Sequence, residues 1–281
     1  MIRYRFLFSL CLGLSSVASS ACSIVVDSER VQCKTDSDCA ARGPAFASDV
    51  CSDSVCQPDP TWACLDEPST DDAASSTVHV VFTAQDLLSE QPMPGIVLTL
   101  CAKLDADCLL PIAQYQSNQA GQFDVELPAG FDGYFQTEGD GIYPTLFFPP
   151  NTRKQRAAST LPMVPVTFFK TMYSGIGASV SSDRTVIMTT ALNCLGAPAD
   201  GMVLASSQVD DQTVTYFLQG GMPSLTAPTT DASGAGGFVN IKVGSAVLTS
   251  TIAATNRLVG TAGVQTRPGH LTMVLIVPTG G

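Results

Sequence analysis

The sequence predicts an all-β protein in which two tandem β-sandwich domains follow a small disulfide-rich leader. Three observations predict this architecture. Apolar and polar residues alternate in short runs that Gly and Pro interrupt, which is the pattern of half-buried strands. Cysteines cluster near the N-terminus, where apolar residues are few. One residue pattern also occurs twice after Val78, and such a repeat predicts two similar folding units.

Residues 1–21 have the three parts of a secretory signal. Arg3 and Arg5 are basic, the stretch from Phe6 to Leu14 is apolar, and small residues follow as far as Ala21. The apolar stretch is shorter than the roughly 20 residues that a membrane-spanning helix needs. We therefore expect an exported chain that has no transmembrane helix.

Cys22 is the candidate lipid anchor. Ser19, Ser20 and Ala21 place a small residue directly before Cys22, as in the signals of bacterial lipoproteins. The alternative is secretion after ordinary cleavage behind Ala21, since Ser19 and Ala21 also form a small-x-small site. The chain has 10 cysteines, and Cys11 leaves with the signal. Lipidation of Cys22 would leave eight that can all pair, which favours an outer-membrane or cell-surface lipoprotein over a secreted or periplasmic protein.

Residues 22–64 form the Cys-rich leader. The leader has too few apolar residues for a core, so we expect disulfides of about 2–4 kcal/mol each to hold its shape. A zinc site is disfavoured because the segment has no C-x-x-C pair and no His. Eight cysteines in the whole chain are expected to form disulfides: Cys33, Cys39, Cys51, Cys56, Cys64, Cys101, Cys108 and Cys194. Among about a hundred possible pairings, we favour Cys33 with Cys51, Cys39 with Cys56, Cys101 with Cys108 and Cys64 with Cys194.

The rest of the chain divides into four segments. Residues 65–77 are acidic and small, which is typical of a linker. Residues 78–165 contain the strands of the first sandwich, beginning with the alternation of Val78, Val80 and Phe82. Residues 166–185 form a connector with a possible short helix from Val166 to Tyr173. Residues 186–281 contain the strands of the second sandwich.

The internal repeat and one turn motif carry a resemblance to a known family. Pro94–Leu98 has an echo in Asp200–Leu204, and Ala120–Val125 has one in Gly236–Ile241. The turn signature Thr230, Asp231, Gly234 and Phe238 resembles the turn and strand of carboxypeptidase regulatory-like, transthyretin-like β-sandwich modules. This resemblance implies that Asp231 caps the turn and that Gly234 takes a positive φ. The first copy has no Thr-Asp, and Asn118 stands at the corresponding turn.

The leader carries a second resemblance. The spacings from Cys33 to Cys39 and from Cys51 to Cys56 are similar to those of the Cys-rich leaders on myxobacterial outer-membrane lipoproteins. The resemblance implies a surface lipoprotein with tandem regulatory-like domains.

Catalytic chemistry is not expected. His79 and His270 are the 2 histidines, and neither is followed by a carboxylate of a zinc-peptidase ligand set. No Gly-x-Ser-x-Gly elbow positions a nucleophile, and no dinucleotide or phosphate loop occurs. Three acidic pairs could bind calcium or act as glycosidase carboxylates, but we favour turn and surface roles because none has an EF-hand ligand run: Asp36 with Asp38, Asp105 with Asp107, and Asp210 with Asp211. We expect no enzyme activity, metal or cofactor.

The expected function is a structural, adhesion or interaction role in the cell envelope, with binding through loops or a sheet edge to an unknown protein or glycan. The formal net charge of −11 argues against nucleic acid as a partner. The alternative is a carbohydrate- or small-ligand-binding module that serves a partner enzyme or receptor. For that alternative we expect Tyr134 and Tyr143 to be exposed, and we expect Trp62 to pack rather than to bind.

Overall fold

The computed structural model describes residues 31–43, 46, 49–66, 77–128, 130–150 and 159–279. The predicted signal, Cys22 and most of the predicted linker lie outside these residues. The chain forms two compact units, Met1–Pro58 and Asp59–Gly281. No helix in the described ranges is long and apolar enough to cross a membrane.

The first unit is a small disulfide-linked fold. It contains helix α1 (Asp36–Ala40) and the hairpin of β1 (Asp49–Ser52) and β2 (Val55–Pro58). One disulfide joins Cys33 to Cys51, and another joins Cys39 to Cys56. These pairs are two of the four that we favour from the sequence, and together they attach the helical segment to both strands of the hairpin.

The second unit consists of strands and one helix. Its strands are β3 (Val78–Asp86), β4 (Val97–Ala102), β5 (Ala113–Gln116), β6 (Gln122–Leu127), β7 (Gly133–Glu138), β8 (Thr145–Phe148), β9 (Ser159–Met163), β10 (Arg184–Ala191), β11 (Met202–Ser206), β12 (Val214–Gln219), β13 (Met222–Ser224), β14 (Ala235–Lys242), β15 (Gly244–Ile252), β16 (Arg257–Thr266) and β17 (Leu271–Ile276). Helix α2 spans Val166–Gly175, so the helix that the sequence suggested from Val166 continues as far as Gly175. Gly177, at φ +70°, follows the helix in the left-handed conformation that commonly ends helices.

Three sheets build this unit. The nine-stranded sheet has the order β13-β12-β14-β10-β17-β8-β7-β4-β5, and the two three-stranded sheets have the orders β6-β3-β9 and β11-β15-β16. Most neighbours are antiparallel, but β3 pairs in parallel with β9, and β10 pairs in parallel with β17. The two copies of the repeat therefore share one strand arrangement.

Each three-stranded sheet faces part of the nine-stranded sheet across an apolar core. The first core joins side chains of β3, β6 and β9, such as Val80 and Phe123, to side chains of β4 and β7, such as Leu98. The second core joins β11, β15 and β16 to β10, β14 and β17, through residues such as Met202 and Ile187. This arrangement confirms the all-β prediction of two sandwiches.

The two sandwiches share the nine-stranded sheet. Strand β8 belongs to the first copy and β17 to the second, and they pair in parallel from Thr145 opposite Leu271 to Phe148 opposite Val274. Phe147 belongs to the first core, whereas Leu146 and Phe148 belong to the second. Strand β8 is therefore buried on both faces. The predicted domain boundaries remain predictions, because the chain continues as one compact unit through this junction.

The segment before the first sandwich also belongs to the second unit. Leu65, which the sequence analysis assigns to the linker, is buried in the second core, and Trp62 packs against the same core. Cys64 forms a disulfide with Cys194, and the Cys194 amide donates a hydrogen bond of 2.9 Å to the Thr61 carbonyl. The packed part of the chain therefore extends beyond the leader boundary that we expected at residue 64.

Candidate functional site

The turn signature of the second copy holds three backbone segments together. The buried Thr230 hydroxyl donates to the Ala199 carbonyl at 2.8 Å and accepts from the Met202 amide at 3.0 Å. The Asp231 carboxylate accepts hydrogen bonds from the Ser233 hydroxyl and amide and from the Gly220 amide, which lower its pKa. These contacts make the signature a structural element.

Gly234 and Phe238 complete this turn. Gly234 has φ +63°, and a Cβ there would lie 2.6 Å from the Ala191 carbonyl oxygen and 2.7 Å from the Ala199 amide nitrogen. Only glycine fits such a position without a shift of the backbone. Phe238 is buried in the second core. Thr230, Gly234 and Phe238 are buried, and the partly exposed Asp231 carboxylate is engaged by the hydrogen bonds of the turn.

The first copy contains the same turn with different residue types. The buried Ser117 hydroxyl donates to the Met93 carbonyl at 2.8 Å and accepts from the Ile96 amide at 2.9 Å, as Thr230 does in the second copy. The Asn118 side chain accepts from two backbone amides of the turn. Gly121 has φ +73°. Sequence reasoning missed Ser117, because a serine next to an asparagine is common in any loop.

The structure corrects one register of the internal repeat. The sequence comparison set Gly121 opposite Gly237, whereas the structure makes Gly121 equivalent to Gly234, three residues earlier. The physical reason is that Gly121 and Gly234 both take a positive φ, and both lie close to the end of the first strand of their copy, at Ala84 of β3 and at Ala191 of β10. Gly237 instead lies inside β14 opposite Met188, where a side chain would collide with the Ile187 carbonyl.

The connection from β4 to β5 carries the most exposed large apolar side chains of the described chain. We call residues 103–112 the apolar loop. Leu104 is 93% exposed, Leu110 is 82% exposed and Leu109 is 77% exposed, and Ile112 is 47% exposed. Single exposed apolar residues are ordinary on protein surfaces, but several of them on one short loop make that loop a candidate interaction site.

The apolar loop is braced from within. The disulfide between Cys101 and Cys108 closes its first part, which contains Leu104. The Asp105 carboxylate accepts hydrogen bonds from the Leu109 amide at 2.9 Å and the Leu110 amide at 2.8 Å. The Leu110 amide makes the larger contribution to lowering the Asp105 pKa. These contacts fix the backbone of Leu109 and Leu110, while their side chains stay exposed.

The loop is also attached to the sheet below it. The Tyr134 hydroxyl donates to the Asp105 carbonyl at 2.6 Å, and the Arg267 guanidinium donates to the Tyr134 hydroxyl at 2.9 Å. Lys103 and Asp132 form an ion pair of 3.1 Å at the base of the loop. Strand β5, which follows, is an edge of the nine-stranded sheet. The arrangement can present apolar side chains on a braced backbone to a partner.

The aromatic residues expected to bind sugars do not form such a site. Tyr134 is buried, stacks on Phe148 at 5.2 Å and has a pKa raised by burial, so the expectation of an exposed Tyr134 is wrong. The cause is its place on β7, where the ring faces the second core. Tyr143 is half-buried and stacks on Phe169 of α2 at 3.8 Å. Trp62 packs on the second core.

The histidines and the acidic pairs have local structural surroundings. His79 is exposed on β3, and the His270 ring nitrogen Nδ1 lies 3.0 Å from the Pro268 carbonyl oxygen. Asp36 accepts a hydrogen bond from the Cys51 amide, and Asp38 accepts from Lys34 and Thr35. A cluster of Cys33, Cys39 and Cys56 has the spacing of metal ligands, but all three sulfurs are in disulfides.

The pair at Asp210 belongs to an ion-pair network. Arg184 donates two hydrogen bonds of 2.9 Å to the two carboxylate oxygens of Asp210, and Lys242 lies 3.3 Å away. The Arg184 contact is the main cause that lowers the Asp210 pKa far below its usual range. Arg184 also donates to the Asn240 carbonyl at 2.7 Å. Two cations already neutralise this carboxylate, which leaves little attraction for a metal ion.

No protein-family model matches the chain, and no curated protein matches it either. Among solved structures, the TIE protein of Bacillus anthracis has 10% identity and a TM-score of 0.26 over 73% of this chain and 34% of that chain. The shaft pilin SpaA of Lactobacillus rhamnosus GG has 13% identity and a TM-score of 0.23 over 73% and 99%. Hydroxyquinol 1,2-dioxygenase of Pseudomonas putida DLL-E4 has 13% identity and a TM-score of 0.22 over 35% and 58%. Similarities at these TM-scores carry no argument about function, which must come from the chain's own residues.

Proposed function

We propose that this chain is an exported, non-enzymatic surface protein that binds a protein partner through the apolar loop. The observation that carries the proposal is the exposure of Leu104, Leu109 and Leu110 on one short loop. A disulfide closes the part that contains Leu104, and the Asp105 carboxylate holds the backbone of Leu109 and Leu110. The disulfides of both units support export, because such bonds persist in oxidising compartments.

The free energy of burying the exposed leucines favours binding by the loop. Burying one leucine side chain contributes about 1.5–3 kcal/mol, so three leucines in a partner's apolar pockets could offset much of the cost of association. The disulfide and the Asp105 contacts fix the loop before binding, which lowers the entropy lost on association. An exposed apolar loop of this kind fits an apolar groove on the partner.

Lipidation of Cys22 is the finer part of the proposal. The four disulfides use eight of the 10 cysteines. The remaining two are Cys11, inside the predicted signal, and Cys22. The absence of a partner for Cys22 among those eight supports its use as the acylated residue. Mass spectrometry of the mature N-terminus is expected to find acyl chains on Cys22, and an unmodified N-terminal residue would contradict lipidation.

A matched pair of triple variants tests the loop. In the first variant Leu104, Leu109 and Leu110 are all replaced by Ser. In the control, three exposed residues on the outer face of the second sandwich are replaced by Ser: Val203, Val247 and Leu258. Both variants are expected to unfold at the wild-type temperature, because surface substitutions usually change stability by less than about 0.5 kcal/mol.

The measurement is recovery of envelope proteins of the host on the immobilised mature protein. We expect one partner to be retained by the wild type and the control and reduced at least about tenfold by the loop variant, since tenfold corresponds to only about 1.4 kcal/mol. Equal recovery by both variants would contradict the proposal. Binding of the wild type, but not of the loop variant, to protein-free phospholipid vesicles would assign the loop to a membrane instead.

The small-ligand alternative has one specific observation in its favour, while the exposed aromatic surface expected for sugars is absent from the described residues around Tyr134 and Tyr143. An apolar cavity of about 140 Å³ lies between β9 and the nine-stranded sheet. Its lining suits a different ligand class from sugars.

A further inference from the structure

We infer that the junction of the two sandwiches is a binding site for a neutral, apolar small molecule of about one aromatic ring. The site shares no residue with the apolar loop, so this inference goes beyond the proposed function and stands apart from it. It rests on the cross-strand register at the junction, the lining of the cavity and the cavity's size.

The floor of the cavity is one row of Phe and Met side chains across four strands. Phe135 on β7 is opposite Phe147 on β8, Phe147 is opposite Met273 on β17, and Met273 is opposite Met188 on β10. All four residues line the cavity. The row crosses the parallel pair that joins the two copies, so each copy supplies half of it. Ligand sites occur preferentially at such domain junctions.

The opposite wall comes from the first three-stranded sheet. Phe82 on β3 and Leu161 on β9 line the cavity on that side, and both are buried members of the first core. Met273 packs against the first core and also against the cluster around α2. On one side of the cavity β9 packs over the nine-stranded sheet, and on the other side α2 does. The cavity therefore lies between β9 and α2.

The lining selects for a neutral ligand. Among its described residues no side chain is charged, and the hydroxyls are those of Ser159, Thr160 and Thr190. An ionised group buried here would lose hydration without gaining a charged partner among the described lining residues, and a sugar would leave most of its hydroxyls unpaired against them. One polar group on the ligand can find a hydroxyl, while the rest must be apolar.

The volume sets the size of the bound group. A cavity of about 150 Å³ lined by Leu, Ile and Phe stays dry and takes up benzene in another protein. The cavity of about 140 Å³ in this chain is close to that volume and is likewise lined mainly by apolar side chains. Met188 and Met273 are unbranched and adaptable, so the floor can adjust to rings and short branched alkyl groups alike. The cavity is open to solvent, and a longer ligand can extend from its mouth.

The test follows the methionine methyl groups of the mature protein by NMR while p-cresol, a neutral ring with one hydroxyl, is added. We expect saturable shifts at Met188 and Met273 with a Kd of about 0.1–1 mM, in line with the binding energy per atom of small ligands. Met222, which is 61% exposed on β13, is the internal control and is expected to stay unchanged. Shifts that rise linearly, or that include Met222 equally, would overturn the inference.

Two variants and one second probe sharpen the result. Met273→Trp fills the cavity from its floor and is expected to abolish the saturable shift at Met188, whereas Val203→Trp adds the same ring on the outer face and is expected to leave binding unchanged. Should Met273→Trp not fold, nuclear Overhauser contacts between the p-cresol ring and the Met273 methyl of the wild type decide, and their absence overturns the inference. Tighter binding of N-acetylphenylalanine amide than of p-cresol would assign the cavity to a peptide side chain and overturn the small-molecule assignment.

Discussion

The two copies of the repeat share one turn and differ in the connection that precedes it. In both copies a buried hydroxyl, Ser117 or Thr230, joins the same two backbone segments, and a glycine of positive φ follows. The connection in the first copy is the apolar loop, whose first part a disulfide closes, and the edge strand β5. The connection in the second copy forms β12 and β13 and is fixed by the ion pair of Arg184 with Asp210.

This difference separates structure from function. The side-chain oxygens of the shared turn bond to the protein's own backbone, and the hydroxyls of Ser117 and Thr230 are buried, so the turn stabilises each sandwich. The connections can vary without disturbing the core. Binding residues are generally found in such loops. In the first copy the variation exposes three leucines, whereas in the second copy it extends the nine-stranded sheet. We therefore assign binding to the first copy.

The largest expected effect is the loss of stability on removing a disulfide of the second unit, and it should differ between the two disulfides. The link from Cys64 to Cys194 has a sequence separation of 130, and the link from Cys101 to Cys108 has a separation of 7. In the chain-entropy model, loops of these lengths contribute about 5 and about 2.5 kcal/mol to the free energy of unfolding. Replacing each pair by Ala and measuring denaturant unfolding is expected to give losses in that order. Equal losses would show that the Cys64 link does not constrain the unfolded chain.

The shared turn is expected to respond alike in the two copies. Thr230→Val leaves the Met202 amide and the Ala199 carbonyl without this partner, and Ser117→Ala does the same to the Ile96 amide. Each change is expected to lower the free energy of unfolding by about 1–3 kcal/mol, the cost of an unsatisfied buried group.

Thr261→Val, at an exposed position on β16, serves as the control for this pair and is expected to change stability by less than about 0.5 kcal/mol. A large loss in one copy beside none in the other would mean that the two turns are not equivalent.

The smallest expected effect is a dependence on pH that both connections share. The pKa values of Asp105 and Asp210 are lowered in the folded protein, mainly by the Leu110 amide and by Arg184 respectively. Each carboxylate therefore adds stability that is fully present above its unfolded pKa of about 3.9 and is lost as the pH falls through the lower folded value.

Urea unfolding at pH 6 and pH 3 measures this loss. The free energy of unfolding is expected to differ less between pH 6 and pH 3 in Arg184→Gln, because the variant removes the largest cause of the lowered Asp210 pKa. The contribution of Asp105 to the difference remains. An unchanged difference in that variant would exclude the ion pair as its source.

Much of the fold follows from local sequence patterns. Alternation in residues such as Val78, Val80 and Phe82 predicts strands because the side-chain period of a strand is two, and the structure places this run on β3. The shared nine-stranded sheet was not predictable, because the parallel pairing of β8 with β17 joins residues that are far apart in the chain. A short apolar strand such as Thr145–Phe148 does not reveal which partner it will pair with.

The candidate sites were less predictable than the fold. The spacing of Cys101 and Cys108 predicts a disulfide that closes a short loop. Whether the nearby Leu104, Leu109 and Leu110 are buried or exposed depends on what packs over them, which the sequence does not show. Tyr134 was expected to be exposed because it lies next to a turn, but the second core covers it. That core brings together residues far apart in the chain, so the sequence does not show that Tyr134 is buried. The row of Met188 and Met273 depends on the register of non-local strands, which no local signal encodes.

The most direct test of the central claim compares the loop with the shared turn in one binding assay. The affinity of the captured partner is measured for the triple Leu104, Leu109 and Leu110 to Ser variant and for Thr230→Val, at a temperature where both are folded. We predict at least about tenfold weaker binding for the loop variant at unchanged stability, and wild-type binding for Thr230→Val at reduced stability. Wild-type binding by the loop variant together with weakened binding by Thr230→Val would contradict the assignment of binding to the loop.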